Sequence, residues 1–303
     1  MKLTAFLRFI RWKNLLLIIY LQILLKFSLI SAVELNTNLS VFQFITLVLS
    51  LIFITAAGYM INDIFDLKSD LINKPQKVIV ANQFSVETSL RLYLTTNTLG
   101  IVLGIGLSLS IEKPTFSFIF IGASLLLYFY SKKLKSKPLI GNIVVSFLVA
   151  LGVMVLGIFD LNFAIQNEAQ QLVIYVILLL SGFAFLINLA REIVKDIEDV
   201  NGDYNLKMNT LPILLGIART KKIAAFLCLL PLGLLLFIVA NYASVYKLTI
   251  LYLVLFTMVP LLYVALKLLS AKTKKDFKKL SIFLKLIMFL GINALLLFSL
   301  NTY

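Results

Sequence analysis

Nine stretches of this sequence are apolar for long enough to cross a lipid bilayer, and this limits the chain to one kind of architecture before any motif is read. They run over about residues 13–33, 41–61, 90–110, 115–131, 139–160, 172–190, 220–241, 247–270 and 280–301. A hydrocarbon core about 30 Å thick needs roughly 20 helical residues per crossing. Inside it each backbone N–H and C=O has to be satisfied within the segment, which makes such runs α-helices. The expected fold class is all-α, a polytopic transmembrane helical bundle of about nine helices. Composition agrees, since 61% of the 303 residues are hydrophobic and only 14% are charged, too little polar surface for a soluble globule. The first run is too long for the apolar region of a signal peptide and no small-residue cleavage site follows it, so it is expected to be retained.

The formal charge of +14 would point to nucleic acid in a soluble protein. In a membrane protein, lysine and arginine gather in cytosolic loops and set orientation, so no nucleic acid is implied. With the N-terminus in the cytosol, Lys2, Arg8, Arg11 and Lys13, the 62–91 segment, the 131–137 loop, the 191–222 segment and the 267–285 segment all fall inside. Only Lys26, Lys113 and Lys247 of the 28 basic residues then lie outside or near it. The expectation is a multi-pass cell-membrane protein, N-terminus cytosolic. Two of its cytosolic connections, roughly 62–89 and 191–219, are longer than a tight turn needs. Nothing resembling a linker or low-complexity tract interrupts the chain, so residues 1–303 read as a single transmembrane domain. The single cysteine, Cys228, excludes an internal disulfide and reads as helix packing. The absence of histidine excludes imidazole bases, histidine-ligated metals and serine-histidine-aspartate triads.

Of only 14 acidic residues, eight lie in two short stretches, 62–70 and 191–203. The first reads Asn62-Asp63-Ile64-Phe65-Asp66-Leu67-Lys68-Ser69-Asp70. The second reads Arg191-Glu192-Ile193-Val194-Lys195-Asp196-Ile197-Glu198-Asp199-Val200-Asn201-Gly202-Asp203. In both, three aspartates are spaced by three and then four residues, Asp63, Asp66, Asp70 and Asp196, Asp199, Asp203. Such steps put each trio on one helical face within an arc of about 60°. Like charges at that spacing repel, more strongly beside a low-dielectric bilayer, and a hard divalent cation offsets the repulsion. Mg²⁺ takes one or two carboxylates and fills its other positions with water and phosphate oxygens. The six aspartates are therefore candidate Mg²⁺ ligands for a diphosphate, with Asp66 and Asp199 the two expected to be indispensable. The alternative is a pair of solvated helix ends whose acids pair with neighbouring lysines and arginines.

At these residues the sequence resembles the UbiA-type prenyltransferase family, whose signature is an N-D-x-x-D-x-x-x-D run after the second helix and a second aspartate-rich run after the sixth. The second stretch, followed by Asn209-Thr210-Leu211-Pro212, looks most like the branch that makes archaeal-type ether lipids, the geranylgeranylglycerol-phosphate geranylgeranyltransferases. So do Tyr128-Phe129-Tyr130-Ser131, Leu134-Lys135 and Pro138-Leu139-Ile140-Gly141-Asn142. The resemblance covers most of the chain, from about Arg11-Trp12-Lys13-Asn14 to beyond Gly216. It implies Mg²⁺-dependent transfer of a prenyl group from an allylic isoprenoid diphosphate to a hydrophobic or amphiphilic acceptor, most like geranylgeranylglyceryl phosphate, at a cytosol-facing site in the membrane lipid. One departure stands after Asn73-Lys74-Pro75, where the family continues with a basic residue, proline, isoleucine, proline, serine and glycine. Here the chain reads Lys77-Val78-Ile79-Val80-Ala81-Asn82, without the prolines and glycine.

Asn62 is expected to bond the diphosphate or orient a metal ligand. Lys74, Lys77, Lys135, Arg191 and Lys195 are candidates for substrate phosphate, and each also reads as a positive-inside anchor. Arg191 and Lys195 lie one turn apart beside the second trio, and an arginine can hold a phosphate by two parallel hydrogen bonds. Tyr130, at the end of the fourth run, faces either the diphosphate or the membrane interface. An aromatic quinone precursor is the alternative acceptor. From another class, a secondary transporter would keep ionisable residues near the bilayer midplane, where these runs have almost none. A nucleotide-dependent lipid-alcohol transferase would carry one longer aspartate motif rather than two short ones.

Overall fold

The computed structural model describes residues 2–31, 35, 37–73, 75–161 and 167–300. Apart from one isolated bridge between Val80 and Phe84, their regular structure is helical. The helices are α1 (Lys2–Phe9), α2 (Trp12–Ile23, prolonged by a π-helical turn Leu24–Ile30), α3 (Val41–Phe65), α4 (Leu67–Asn73), α5 (Val86–Ser110), α6 (Ser117–Lys132) and α7 (Ile140–Asp160). They continue with α8 (Glu168–Asn205), α9 (Leu211–Leu215), α10 (Ile217–Tyr242), α11 (Lys247–Leu253), α12 (Val259–Ser270) and α13 (Lys274–Leu300).

Among the described residues nine helical segments are long and apolar enough to cross a membrane, from Trp12–Ile30 to Lys274–Phe298, and each overlaps one of the apolar runs read from the sequence. Their outward faces carry exposed Phe42, Phe118, Phe237 and Leu266, side chains that suit lipid. The chain is a multi-pass, all-helical membrane protein.

The sixth span departs most from expectation. The sequence places its apolar run at 172–190 and treats 191–219 as a long connection, whereas α8 continues through the second acidic stretch to Asn205. Its 38 residues give a rod of roughly 57 Å, nearly twice the hydrocarbon thickness. Ile193, Val194 and Ile197 are buried, so an apolar stripe continues between the acids and keeps the helix packed beyond the bilayer. Gly202 lies inside α8, which ends at Asn205, and Gly216, whose φ of +77° suits a residue without Cβ, separates α9 from α10. The 62–89 connection is likewise structured, by α4, a 3₁₀ turn Pro75–Lys77 and a tight loop closed by the Ala81 amide donating to the Phe84 carbonyl.

The chain divides into two compact units, one formed by Met1–Gln22 and Thr37–Ser136, the other by Ile23–Asn36 and Lys137–Tyr303. In the first, α3 starts from a reciprocal cap in which Ser40 accepts from the Gln43 amide and Gln43 accepts from the Ser40 amide. It packs on α5 through Gly100, where an added Cβ would lie 2.7 Å from Ile54 Cγ1, and the Gly100 carbonyl accepts from Ser50 at 2.7 Å. One turn on, Gly104 admits the ring of Phe120 from α6. This small-x-x-x-small pattern brings helices close where lipid offers no hydrophobic drive to association. Phe9 of α1 is buried with Met60, Ile61, Val80 and Tyr93 and stacks on Phe84, which ties the loop after the first acidic stretch to the N-terminal helix.

In the second unit α8 packs with α7, α10 and α13, and buried Ile187, Ile193, Cys228, Leu261, Leu268 and Leu284 of α8, α10, α12 and α13 share one core. Cys228 is a packing residue, as its apolar setting suggests. Lys26 and Asp160, both buried, form an ion pair at 2.7 Å. The sequence reading leaves Lys26 near the outer surface and gives no sign of this partner, which lies 134 residues away.

Candidate functional site

The first trio is assembled where α3 passes into α4. Asp63 lies in the last turn of α3, Asp66 is its C-terminal cap and Asp70 lies in the first turn of α4. The Asp66 amide donates to the Asn62 carbonyl and the Asp70 amide to the Asp66 carbonyl, each at 2.8 Å. The hydrogen-bond ladder thus crosses the junction, and the helical stacking expected from the spacing is kept. Asn62 Nδ2 donates to Asp66 Oδ2 at 2.8 Å, while Lys135 Nζ, from the 3₁₀ turn Leu134–Ser136, pairs with Asp66 Oδ1. Arg11 Nη2 pairs with Asp63 Oδ1 at 2.9 Å and its guanidinium lies over the Tyr59 ring, 4.6 Å from the centroid. Tyr59 in turn accepts from Asn14 Nδ2 at 3.1 Å. Arg11 sits between α1 and α2 with φ of +52°, a left-handed backbone that costs a side-chain-bearing residue about 1–2 kcal/mol.

Tyr130 is half-buried in the last turn of α6. Tyr128, two residues earlier, packs edge-on against Phe65 beside the aspartate junction at 5.8 Å between centroids. Lys77 ends the Pro75–Lys77 turn, and Lys74 lies outside the described residues.

The second trio lies entirely on α8. Asn142, buried in the first turn of α7, donates to Asp196 Oδ2 at 2.8 Å. Leu139, just before α7, holds φ of +62° and packs on the unit's core, which sets the helix start that carries Asn142. Lys274 Nζ lies 3.8 Å from Asp199 Oδ1, and Asp203 is half-buried in the last turns of α8. Glu192 receives Arg191 Nη1 on Oε1 at 2.6 Å and Lys195 Nζ on Oε2 at 2.9 Å.

Among the described residues no three acidic side chains converge into a ready-made metal cage. The donors are all hard carboxylate oxygens on neighbouring helical turns, and those of Asp63 and Asp66 already attract the cationic groups of Arg11 and Lys135. That set fits a small hard cation that takes few protein ligands and completes its shell with water and phosphate. Within its own unit, each stretch is brought together with partners that spacing did not reveal: Arg11, Asn142 and Lys274. The only signals for them were membership of the resembling segments, for Arg11 and Asn142, and a place in a basic run, for Lys274.

Membrane-spanning helices that end in two aspartate trios, each with cations against it, define an intramembrane enzyme of the prenyltransferase class. The UbiA prenyltransferase family model matches residues 24–291, and the chain belongs to that family. It is 38% identical over 168 residues to a digeranylgeranylglyceryl phosphate synthase of Methanobrevibacter smithii, across 55% of this chain and 56% of that one. With the synthase of the same name from Saccharolobus solfataricus it shares 32% identity over 247 residues, 82% of this chain and 81% of the relative. Among solved structures it superposes on one of digeranylgeranylglyceryl phosphate synthase in membranes, with TM-score 0.66, 27% identity and 98% of both chains covered. A UbiA homologue from Archaeoglobus fulgidus bound to GPP and Mg²⁺ shares the fold at TM-score 0.56 and 17% identity, covering 96% of this chain and 99% of that one.

Proposed function

We propose that this chain transfers a prenyl group from an allylic isoprenoid diphosphate to geranylgeranylglyceryl phosphate, a Mg²⁺-dependent step of archaeal-type ether lipid synthesis. The observation that carries the chemistry is the doubled aspartate trio on membrane helices. The acceptor is supported by similarity to the two archaeal synthases.

In this reading Asp63, Asp66, Asp70, Asp196, Asp199 and Asp203 hold Mg²⁺, directly or through water. When bound, the metal supplies Lewis-acid neutralisation of the leaving diphosphate. Asn62 and Asn142 orient Asp66 and Asp196 by the hydrogen bonds they donate. Lys135, Arg191 and Lys195, with Lys74 and Lys77 as further candidates, bind phosphate oxygens and stabilise the charge that builds on them. Tyr130, half-buried in the last turn of α6, is a further candidate for the same group. The allylic carbon–oxygen bond breaks, diphosphate departs with the bonding electron pair, and the acceptor hydroxyl oxygen forms the new ether bond as its proton passes to the departing diphosphate. Enclosure by membrane helices excludes the water that would otherwise quench the allylic cation. The lysine and arginine asymmetry supports an orientation with the aspartate motifs toward the cytosol.

The test is transfer of label from radiolabelled geranylgeranyl diphosphate by the purified chain in liposomes, with Mg²⁺ or EDTA. The acceptors compared are geranylgeranylglyceryl phosphate, 4-hydroxybenzoate and dihydroxynaphthoate. Mg²⁺-dependent product with the first alone is the expected result. Product with an aromatic acceptor alone moves the chain to quinone synthesis, and no product with folded protein removes the proposal.

A further inference from the structure

We propose that Glu192 is a positioning residue that holds Arg191 and Lys195 as a preformed clamp for phosphate oxygens. The proposal rests on the prenyl-transfer reading in taking those oxygens to belong to a substrate of this chain. The three side chains are layered: that of Glu192 is 10% exposed, that of Arg191 24% and that of Lys195 38%. The carboxylate therefore lies deepest, with two cations above it, one on each oxygen, and the group carries a net charge of +1.

A buried ion pair is a weak source of stability, because desolvation consumes much of the Coulombic gain. Two cations on one carboxylate are weaker still, since they repel each other across a single helical turn. The arrangement makes better sense as preparation for an anion. Arg191 spends one of its five N–H donors on Glu192, and its Nε is buried with no hydrogen-bond partner among the described residues. Lys195 spends one of its three donors on Glu192. The unspent donors suit the several oxygens of a phosphate group. Holding both long side chains beforehand removes part of the ordering cost that binding would otherwise incur.

Glu192 also draws the Lys195 ammonium away from Asp199. Lys195 lies one turn before Asp199 on α8, a spacing at which lysine and aspartate pair readily. Lys195 is drawn back onto Glu192, and it is Lys274 whose Nζ stands 3.8 Å from Asp199 Oδ1. The phosphate chemistry is common to the donor's diphosphate and the acceptor's phosphomonoester, and the experiment separates the two.

The full chain in liposomes is compared with Glu192→Gln, which keeps the shape and loses the charge, and with Glu192→Asp, which keeps the charge one methylene shorter. Two readouts are taken: KM and kcat for each substrate, and the rise in thermal midpoint caused by inorganic diphosphate or inorganic phosphate in the presence of Mg²⁺. The expected result for Glu192→Gln is a KM raised about tenfold or more for one substrate with kcat changed less than about twofold, and loss of protection by the corresponding ion. Glu192→Asp is expected to recover part of both. A change tied to donor KM and inorganic diphosphate assigns the clamp to the donor; one tied to acceptor KM and inorganic phosphate assigns it to the acceptor. Unchanged KM and unchanged protection overturn the proposal, as does a lower midpoint without ligand accompanied by normal KM, which marks a purely structural ion pair. If the wild-type chain transfers to no acceptor, the function reading fails and ion protection decides alone. Protection lost in Glu192→Gln then upholds the clamp, and no protection of the wild type by either ion overturns it.

Discussion

Lys26 and Asp160 pair at 2.7 Å with side chains 8% and 0% exposed, so neither charge has bulk water to turn to if the other is removed. Breaking such a pair costs about 3–5 kcal/mol, whereas replacing both members by apolar groups is close to neutral. Lys26→Met is accordingly expected to lower the thermal midpoint in detergent sharply, and Lys26→Met/Asp160→Leu to recover most of the loss. At the acidic stretches the predictions concern activity rather than folding. Asp66→Ala and Asp199→Ala are expected to abolish transfer while the protein still inserts and purifies, and retained activity in both would remove the metal assignment. Asn142 holds Asp196 by one hydrogen bond at 2.8 Å. Losing an orienting partner of a metal ligand typically costs about 10–100-fold in metal affinity. Asn142→Ala should therefore need about tenfold more Mg²⁺ for half-maximal transfer, as read from a Mg²⁺ titration.

Among the elements, α5 shows how a glycine pattern sets helix spacing. A Cβ at Gly100 would lie 3.0 Å from the Ile54 backbone nitrogen as well as 2.7 Å from its Cγ1, so a side-chain rotation alone cannot relieve the clash. Gly100→Ala is expected to destabilise the protein by about 1–3 kcal/mol. At Gly106, on the same helix, an added Cβ meets nothing within 4 Å. Gly106→Ala should be neutral or raise stability by up to about 1 kcal/mol through helix propensity. Thermal unfolding of the two variants side by side separates close packing from propensity. The element α8 teaches a different lesson. Hydropathy marks its membrane-facing half, but its continuation to Asn205 depends on Ile193, Val194 and Ile197 being buried by neighbouring helices. Charged residues between them hide that stripe from any hydropathy window.

For the molecule as a whole, the basic-residue asymmetry makes a prediction about orientation. In a Cys228→Ala background, a cysteine at Lys133 should react with a membrane-impermeant thiol reagent only from the cytosolic side, and one at Glu112 only from outside. The reverse pattern would invert the topology. The nine spans could be read from sequence because the bilayer makes each helix satisfy its own backbone, so the signal for every span is contained within it. The stacking of each aspartate trio was legible for a similar reason, since helical periodicity is a local property. Tertiary structure alone decided what stands against those carboxylates. Arg11 reaches Asp63 across 52 residues, Lys135 reaches Asp66 across 69, and Asn142 reaches Asp196 across 54. The Lys26–Asp160 pair closes over 134. Contacts between distant residues leave no period or spacing in the chain, because they depend on how helices pack rather than on how any one of them is built.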